Sequence, residues 1–166
     1  MHIRDEEPQD APAIRAVVAA AFEGHPHGAG TEHLIVDALR ARGAMTLSLV
    51  AEEVGAILGH VAFSPVTIGA VRQGWYGLGP LAVRPGRQRG GIGQALVRAG
   101  LERLAALGAK GCVLVGDPAY YRRFGFRSDP GLAYADVPRV YVLARPFAGE
   151  TPRGSIDYDP AFAVTA

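Results

Sequence analysis

Arg87-Gln88-Arg89-Gly90-Gly91-Ile92-Gly93 decides the reading of this chain. An apolar run, residues 77–83, precedes it, and a helical pattern continues from it to about Leu107. In a strand, glycine-rich turn and helix, backbone N–H groups and a helix N-terminus face a common point and favour an anion there, usually a phosphate. Glycine lets the backbone approach such a ligand and adopt φ > 0 without a Cβ clash. Arg84, Arg87 and Arg89 add attraction for a polyanion, so the stretch predicts a site for a phosphorylated ligand.

Working outward, residues 3–4 begin a short edge strand. Asp10 reads as the N-cap of a helix with Ile14, Val17, Val18, Ala21 and Phe22 on its apolar face. Thr31 reads as the cap of a second helix with Leu34, Ile35, Ala38 and Leu39 inward, and Gly43 as its C′ residue. Strands follow at 46–53 and 56–66, joined by a short hairpin-like link, and residues 66–71 either extend the second strand or bend away. A third strand, 75–83, is interrupted by Gly77 and Gly79, which predict a bulge or a close backbone approach. Pro80 cannot donate to a ladder, so one side of that strand should be unpaired. The helix after the glycine turn carries Ile92, Leu96, Gly100, Leu104 and Leu107 on one ridge and ends at Gly108. Residues 111–115 read as a buried strand, 120–124 as a short helix ended by Gly125, and 132–136 with 139–143 as a closing hairpin. The order predicts an α+β fold, a mixed α/β arrangement with helices on both sheet faces, because a doubly wound sheet would alternate β and α throughout. The expected organisation is one domain over residues 1–146 and a Pro- and Gly-rich tail, 147–166, pinned to it by Tyr158 and Phe162.

With 166 residues and 49% hydrophobic content the chain can bury a core. Seventeen basic against sixteen acidic residues leave no broad basic face, which argues against nucleic acid as a partner. A single cysteine, Cys112, excludes an internal disulfide and a cysteine-rich metal site. No stretch approaches the roughly 20 apolar residues of a membrane span, and the N-terminus has no apolar signal region. The expectation is a soluble cytoplasmic protein.

Three glycine-rich motifs compete for the turn. A P-loop requires Lys-Ser/Thr after its last glycine, and none follows. A dinucleotide fingerprint requires a third glycine where Leu96 stands. Gln88-Arg89-Gly90-Gly91-Ile92-Gly93 instead matches Gln/Arg-x-x-Gly-x-Gly/Ala, the pyrophosphate loop of the GCN5-related N-acetyltransferases (GNAT). Leu81-Ala82-Val83-Arg84-Pro85 resembles that family's central strand, and Tyr120-Tyr121-Arg122-Arg123-Phe124-Gly125-Phe126 its downstream aromatic segment. Residues 115–121 and 158–162 further resemble the bacterial YhbS-like subgroup.

The resemblance implies a GNAT fold, with a mixed, mostly antiparallel sheet of about six or seven strands, and transfer of an acetyl group from acetyl-CoA to a primary amine. It assigns the pyrophosphate to Gln88, Arg89, Gly90, Gly91, Ile92 and Gly93, and the pantetheine arm to Leu81, Ala82 and Val83. Main-chain N–H groups of that strand can stabilise a thioester oxyanion whatever the side chains. Tyr121 matches the family's general acid, with Tyr120 as the alternative; a phenol titrates near ~10 and is protonated at neutral pH. Glu53, Glu52 and His60 are the candidates for the base. Asp117 reads as a helix cap before Pro118. His25, His27 and His33 lack a fourth ligand, so no metal is expected, and residues 22–31 read as a substrate-side loop. The acceptor, a small molecule or a protein amine, is not specified, and a homodimer is compatible with the resemblance. The competing class is a catalytically weak acyl-CoA-binding sensor; the presence of Tyr121 favours the enzyme.

Overall fold

The alternating and helical apolar patterns become ten strands and four α-helices in the computed structural model, which describes residues 1–25 and 28–165. The strands are β1 (His2–Asp5), β2 (Leu47–Glu53), β3 (Ala56–Pro65), β4 (Thr67–Ile68), β5 (Trp75–Val83), β6 (Gly111–Val115), β7 (Arg127–Ser128), β8 (Leu132–Ala133), β9 (Val142–Pro146) and β10 (Gly154–Asp157). The helices are α1 (Ala11–Phe22), α2 (Glu32–Ala41), α3 (Ile92–Ala106) and α4 (Pro118–Tyr121). A seven-stranded sheet runs β1-β2-β3-β5-β6-β9-β7, and a three-stranded sheet runs β4-β10-β8.

Every neighbouring pair of the large sheet is antiparallel except β5–β6, the pair joined through α3. Those two strands pair only over Trp75–Gly77 against Gly111–Val113. Beyond that point they part. The register of β5 against β3 also slips between Val61 and Phe63, so β5 carries an extra residue near Gly79 and Pro80. The bulge expected from the glycines and the unpaired side expected from Pro80 are both present.

Period-two alternation divides the core between the sheet's faces. On one face α3 sets Ile92, Leu96, Val97, Leu101 and Leu104 against Leu49, Val61, Phe63, Leu78 and Leu114. On the other, α1 and α2 cover Val50, Ala62 and Ala82 through Ile14, Val18, Val36 and Leu39. The small sheet extends that second layer with Val66, Ile68, Trp75, Leu132 and Ile156.

Several local expectations are corrected by longer-range contacts. Residues 132–136 and 139–143 do not form a hairpin. β8 pairs parallel to β10, residues Arg139–Tyr141 form a 3-10 turn, and β9 lies between β6 and β7. Of the two routes open to residues 66–71, the chain bends away, and β4 joins β10 antiparallel. Asp10 does not cap α1 with its side chain. Its carboxylate accepts from Glu7 N–H at 2.7 Å and pairs with Arg4 at 2.7 Å. Ahead of α2, Glu32 rather than Thr31 accepts from the loop, taking Ala29 and Gly30 N–H at 3.0 Å each. Gly43 is left-handed after α2, as read. Leu107 lies past the end of α3 and is 62% exposed. No helix among the described residues is long and apolar enough to cross a membrane.

α3 approaches the sheet closely where Gly100 faces Phe63: a Cβ there would lie 2.2 Å from Phe63 Cε1 and 2.3 Å from Cζ. Helix propensity alone favours alanine over glycine by about 1 kcal/mol, whereas overpacking a filled core costs about 1–3 kcal/mol. Gly100→Ala should therefore destabilise the fold on balance, read as a lower urea midpoint; a raised midpoint would contradict this packing.

Candidate active site

The site is built where β5 and β6 separate. Main-chain groups of successive residues in an antiparallel strand point alternately toward and away from the partner. Arg84 N–H donates to Leu58 O at 2.7 Å. With Gly59 opposite Val83 and Val61 opposite Leu81, this phase directs the main-chain groups of Ala82 toward β3 and those of Leu81 and Val83 away from it, into the opening toward β6. Gln88 confirms the phase, since its side-chain amide donates to Val83 O at 3.1 Å. The side chains of Leu81 and Val83 pack on the α3 face, and that of Ala82 packs under α1.

The glycine turn ends at this opening. Gly91 is the N-cap of α3 with φ +88, a left-handed conformation that a side chain would strain. The first α3 bond runs from Ala95 N–H to Gly91 O, so Ile92, Gly93 and Gln94 are in the first turn, where N–H groups have no intrahelical acceptor. They and the helix dipole present partial positive charge. Arg89 also takes a positive φ, +65, which is uncommon for a side-chain-bearing residue and marks the loop as constrained.

The aromatic segment closes the other arm. Asp117 Oδ1 accepts from Ala119 N–H at 2.9 Å and caps α4, as its position before Pro118 predicted. Tyr120 lies against the first turn of α3, its hydroxyl 3.4 Å from where a Cβ on Gly93 would be. The Arg123 guanidinium stacks on its ring at 4.5 Å. Tyr121 turns the other way, edge-on to Tyr120 at 4.9 Å and to Phe126 at 6.0 Å. A Cβ on Gly116 would meet the Tyr121 ring at 2.7 Å, so this glycine is what lets the ring lie on the β6 exit. Burial, with Tyr120 and Cys112 nearby, raises Tyr121 above the ordinary phenol range, and burial raises Tyr120 as well. Both hydroxyls are protonated at neutral pH.

The base candidates are in three different settings. Glu53 stands at the surface, its carboxylate held below the usual range by hydrogen bonds from Arg87 at 3.2 and 3.3 Å. Glu52 accepts from Arg4 Nε at 2.6 Å. His60, opposite Ala82 on β3, is fully buried. It closes a chain that local sequence does not reveal. Ser48 Oγ donates to Glu6 at 2.6 Å, and His60 Nε2 lies 2.8 Å from the same oxygen. Ser48 has a single proton, given to Glu6, so it accepts from His60 Nε2–H, and Nδ1 keeps its lone pair. That Nδ1 is buried with no hydrogen-bond partner among the described residues. Burial opposes Glu6's charge, but hydrogen bonds from Arg40 and Ser48 outweigh it and hold the carboxylate low. Burial lowers His60 to about 4.

His25 and His33 line a cavity of about 390 Å³ with Phe22, Glu23 and Gly30, between α1 and α2. His27 lies outside the described residues. No group of three or more metal-ligating side chains occurs among those described.

A strand-bulge-loop-helix unit opens the sheet beside a tyrosine, and known proteins share this fold. Residues 45–128 match the model of the acetyltransferase (GNAT) domain. The chain belongs to the GNAT N-acetyltransferase family. It is 42% identical over 127 residues to the uncharacterized N-acetyltransferase YhbS of Escherichia coli K12, covering 76% of this chain and 73% of that one. It superposes on a GNAT family acetyltransferase from Brucella melitensis, solved with acetyl-CoA, with a TM-score of 0.88 and 52% identity over 97% of both chains. The E. coli YhbS structure with CoA gives a TM-score of 0.90 at 33% identity, covering 99% of this chain and 93% of that one.

The buried imidazole makes a prediction for stability. His60 is lowered in the folded state relative to 6.5, so at falling pH the unfolded chain takes up the proton first. Stability should be full above pH 6.5 and decline toward pH 4, by on the order of 2–3 kcal/mol from this group. His60→Gln should flatten that limb in urea titrations; an unaltered decline would assign it elsewhere.

Proposed function

We propose that the chain binds acetyl-CoA in the opening between β5 and β6 and transfers its acetyl group directly to a primary amine. The observation that carries this reading is the parting of the parallel pair beside a helix N-terminus, with the Leu81 and Val83 main-chain groups turned into the gap. The pyrophosphate lies on the turn Gln88–Gly93, held by N–H groups of Arg89, Gly90, Gly91, Ile92 and Gly93 and by the α3 dipole. The pantetheine arm adds to the open edge of β5 along Val83, Ala82 and Leu81, as an extended chain adds to a free strand edge. The acetyl-CoA and CoA complexes of the Brucella and E. coli relatives support the ligand.

The amine nitrogen attacks the thioester carbonyl and forms the C–N bond. Negative charge on the carbonyl oxygen meets a β5 N–H that needs no reorganisation. The C–S bond then breaks, the CoA thiolate takes its proton from Tyr121, and the phenolate so formed regains one, through water, from the attacking nitrogen as it becomes the amide. A phenol stays protonated at neutral pH until the thiolate forms, and the place of Tyr121 at the β6 exit supports this role. The attacking amine must first lose a proton. Of the candidates, His60 is favoured over Glu53: its Nδ1 holds a free lone pair beside β5, whereas Glu53 is tied to Arg87. The cavity between α1 and α2 supports an acceptor entering on that face.

The test is thioester consumption across a panel of amines, with wild type and Tyr121→Phe in parallel. Tyr121→Phe should lower kcat by about 10²-fold or more while acetyl-CoA affinity stays within about twofold. Unchanged turnover removes Tyr121 from the chemistry. CoA binding with no consumption over the panel favours the sensor.

A further inference from the structure

The vertex of the β5–β6 opening is occupied from one side by the C-terminal segment. Gly77 and Val113 form the last β5–β6 pair. A Cβ on Gly77 would lie 2.5 Å from Tyr158 Cε2 and 3.1 Å from Val66 Cγ1, so the Tyr158 ring rests on the bare backbone at the point of parting. That ring is edge-on to Tyr134 at 5.0 Å and touches Phe162 at 4.8 Å. It is fixed in place from both ends. On one side β10 pairs with β4 through Ile156 and Asp157. On the other Asp159 accepts from Ala161 N–H at 2.9 Å and binds Arg42 at 2.7 Å.

Two further groups mark the vertex. Ser64 lies directly opposite Gly77 on β3 and therefore shares its face with the Tyr158 ring. It is fully buried, and its Oγ has no hydrogen-bond partner among the described residues. A buried hydroxyl in an apolar layer is costly unless something meets it. Cys112, one residue before Val113 on β6, lies within electrostatic range of both Tyr121 and Tyr158. The two tyrosines thus flank the same point, Tyr121 with the α3 side of the sheet and Tyr158 with the small-sheet side.

A ligand with its pyrophosphate at Gly91 runs down β5 from Val83 toward Gly77. The six residue steps between them span roughly 20 Å at the strand rise, comparable to an extended pantetheine arm. The thioester end then arrives at the vertex. We propose that Tyr158 is a specificity-determining residue whose ring walls off the vertex and limits the transferred acyl group to about the size of acetyl, an inference that rests on the acyl-CoA reading above. Ser64 Oγ supplies the polar contact beside that wall.

Calorimetric titration of the full chain with CoA, acetyl-CoA and butyryl-CoA tests this. Wild type should bind butyryl-CoA at least about tenfold more weakly than acetyl-CoA, the discrimination a filled apolar wall exerts against added methylenes. In Tyr158→Ala and in the more conservative Tyr158→Leu that ratio should fall to about twofold, with CoA affinity unchanged. Circular dichroism establishes folding, and Tyr158→Leu decides if Tyr158→Ala does not fold. Equal binding of both thioesters by wild type, or an unaltered ratio in a folded variant, overturns the proposal alone. Absence of CoA binding to wild type overturns the acyl-CoA reading and this inference with it.

Discussion

The organisation of the molecule depends on one interrupted pairing. β5 and β6 are the single parallel pair of the large sheet, and they hold together for three residues before separating. A strand whose edge is left open inside a protein carries N–H and C=O groups that need partners. Here those groups belong to Leu81 and Val83, and one carbonyl is already met by Gln88. The opening persists because each arm is held by something else. β5 is bound along its other edge to β3, and β6 along its other edge to β9. The bulge at Gly79–Pro80 turns β5 away, since proline has no N–H with which to continue a ladder.

Two helical ends converge on that gap, and their electrostatics agree with it. α3 starts at the end of β5 and directs its dipole at the loop, while α4 starts just beyond β6 and brings Tyr120 back against Gly93. The cations near the gap are partly committed: Arg87 to Glu53, Arg123 to Tyr120 and Arg98 to the Phe124 ring. Backbone N–H groups, rather than a cluster of free cations, are therefore the natural anchor for a phosphate. On the opposite face the half-buried chain Arg40–Glu6–Ser48, ending on buried His60, joins the N-terminal segment, α2, β2 and β3. It fixes a single imidazole tautomer next to β5.

What the sequence revealed divides by range. The β5-loop-α3 unit, the Asp117 cap, Gly43 and the aromatic segment were legible because each is set by spacing over a few residues. The hairpin expected over 132–143 failed because β8 is two residues long and finds its partner in the tail, a pairing no local periodicity encodes. Asp10 has the right chemistry for a helix cap but is drawn off by Arg4 and by Glu7 N–H. The site shows the same division. Gly91 and Tyr121 stand in motifs, whereas Ser48 meets Glu6 across 42 positions and Tyr158 meets Gly77 through the folded tail. Ser48 has no local pattern and gave no signal, whereas Tyr158 was legible as a pin for the tail but its seat on Gly77 was not.

The central claim is that the open edge of β5 and the first turn of α3 together receive the cofactor. Backbone amide shifts on titration with CoA measure this directly. The account predicts that the largest changes fall on Leu81, Val83 and the residues from Arg89 to Gln94. Changes concentrated instead at the distant cavity beside Trp75 and Lys110, with those amides unmoved, would contradict it.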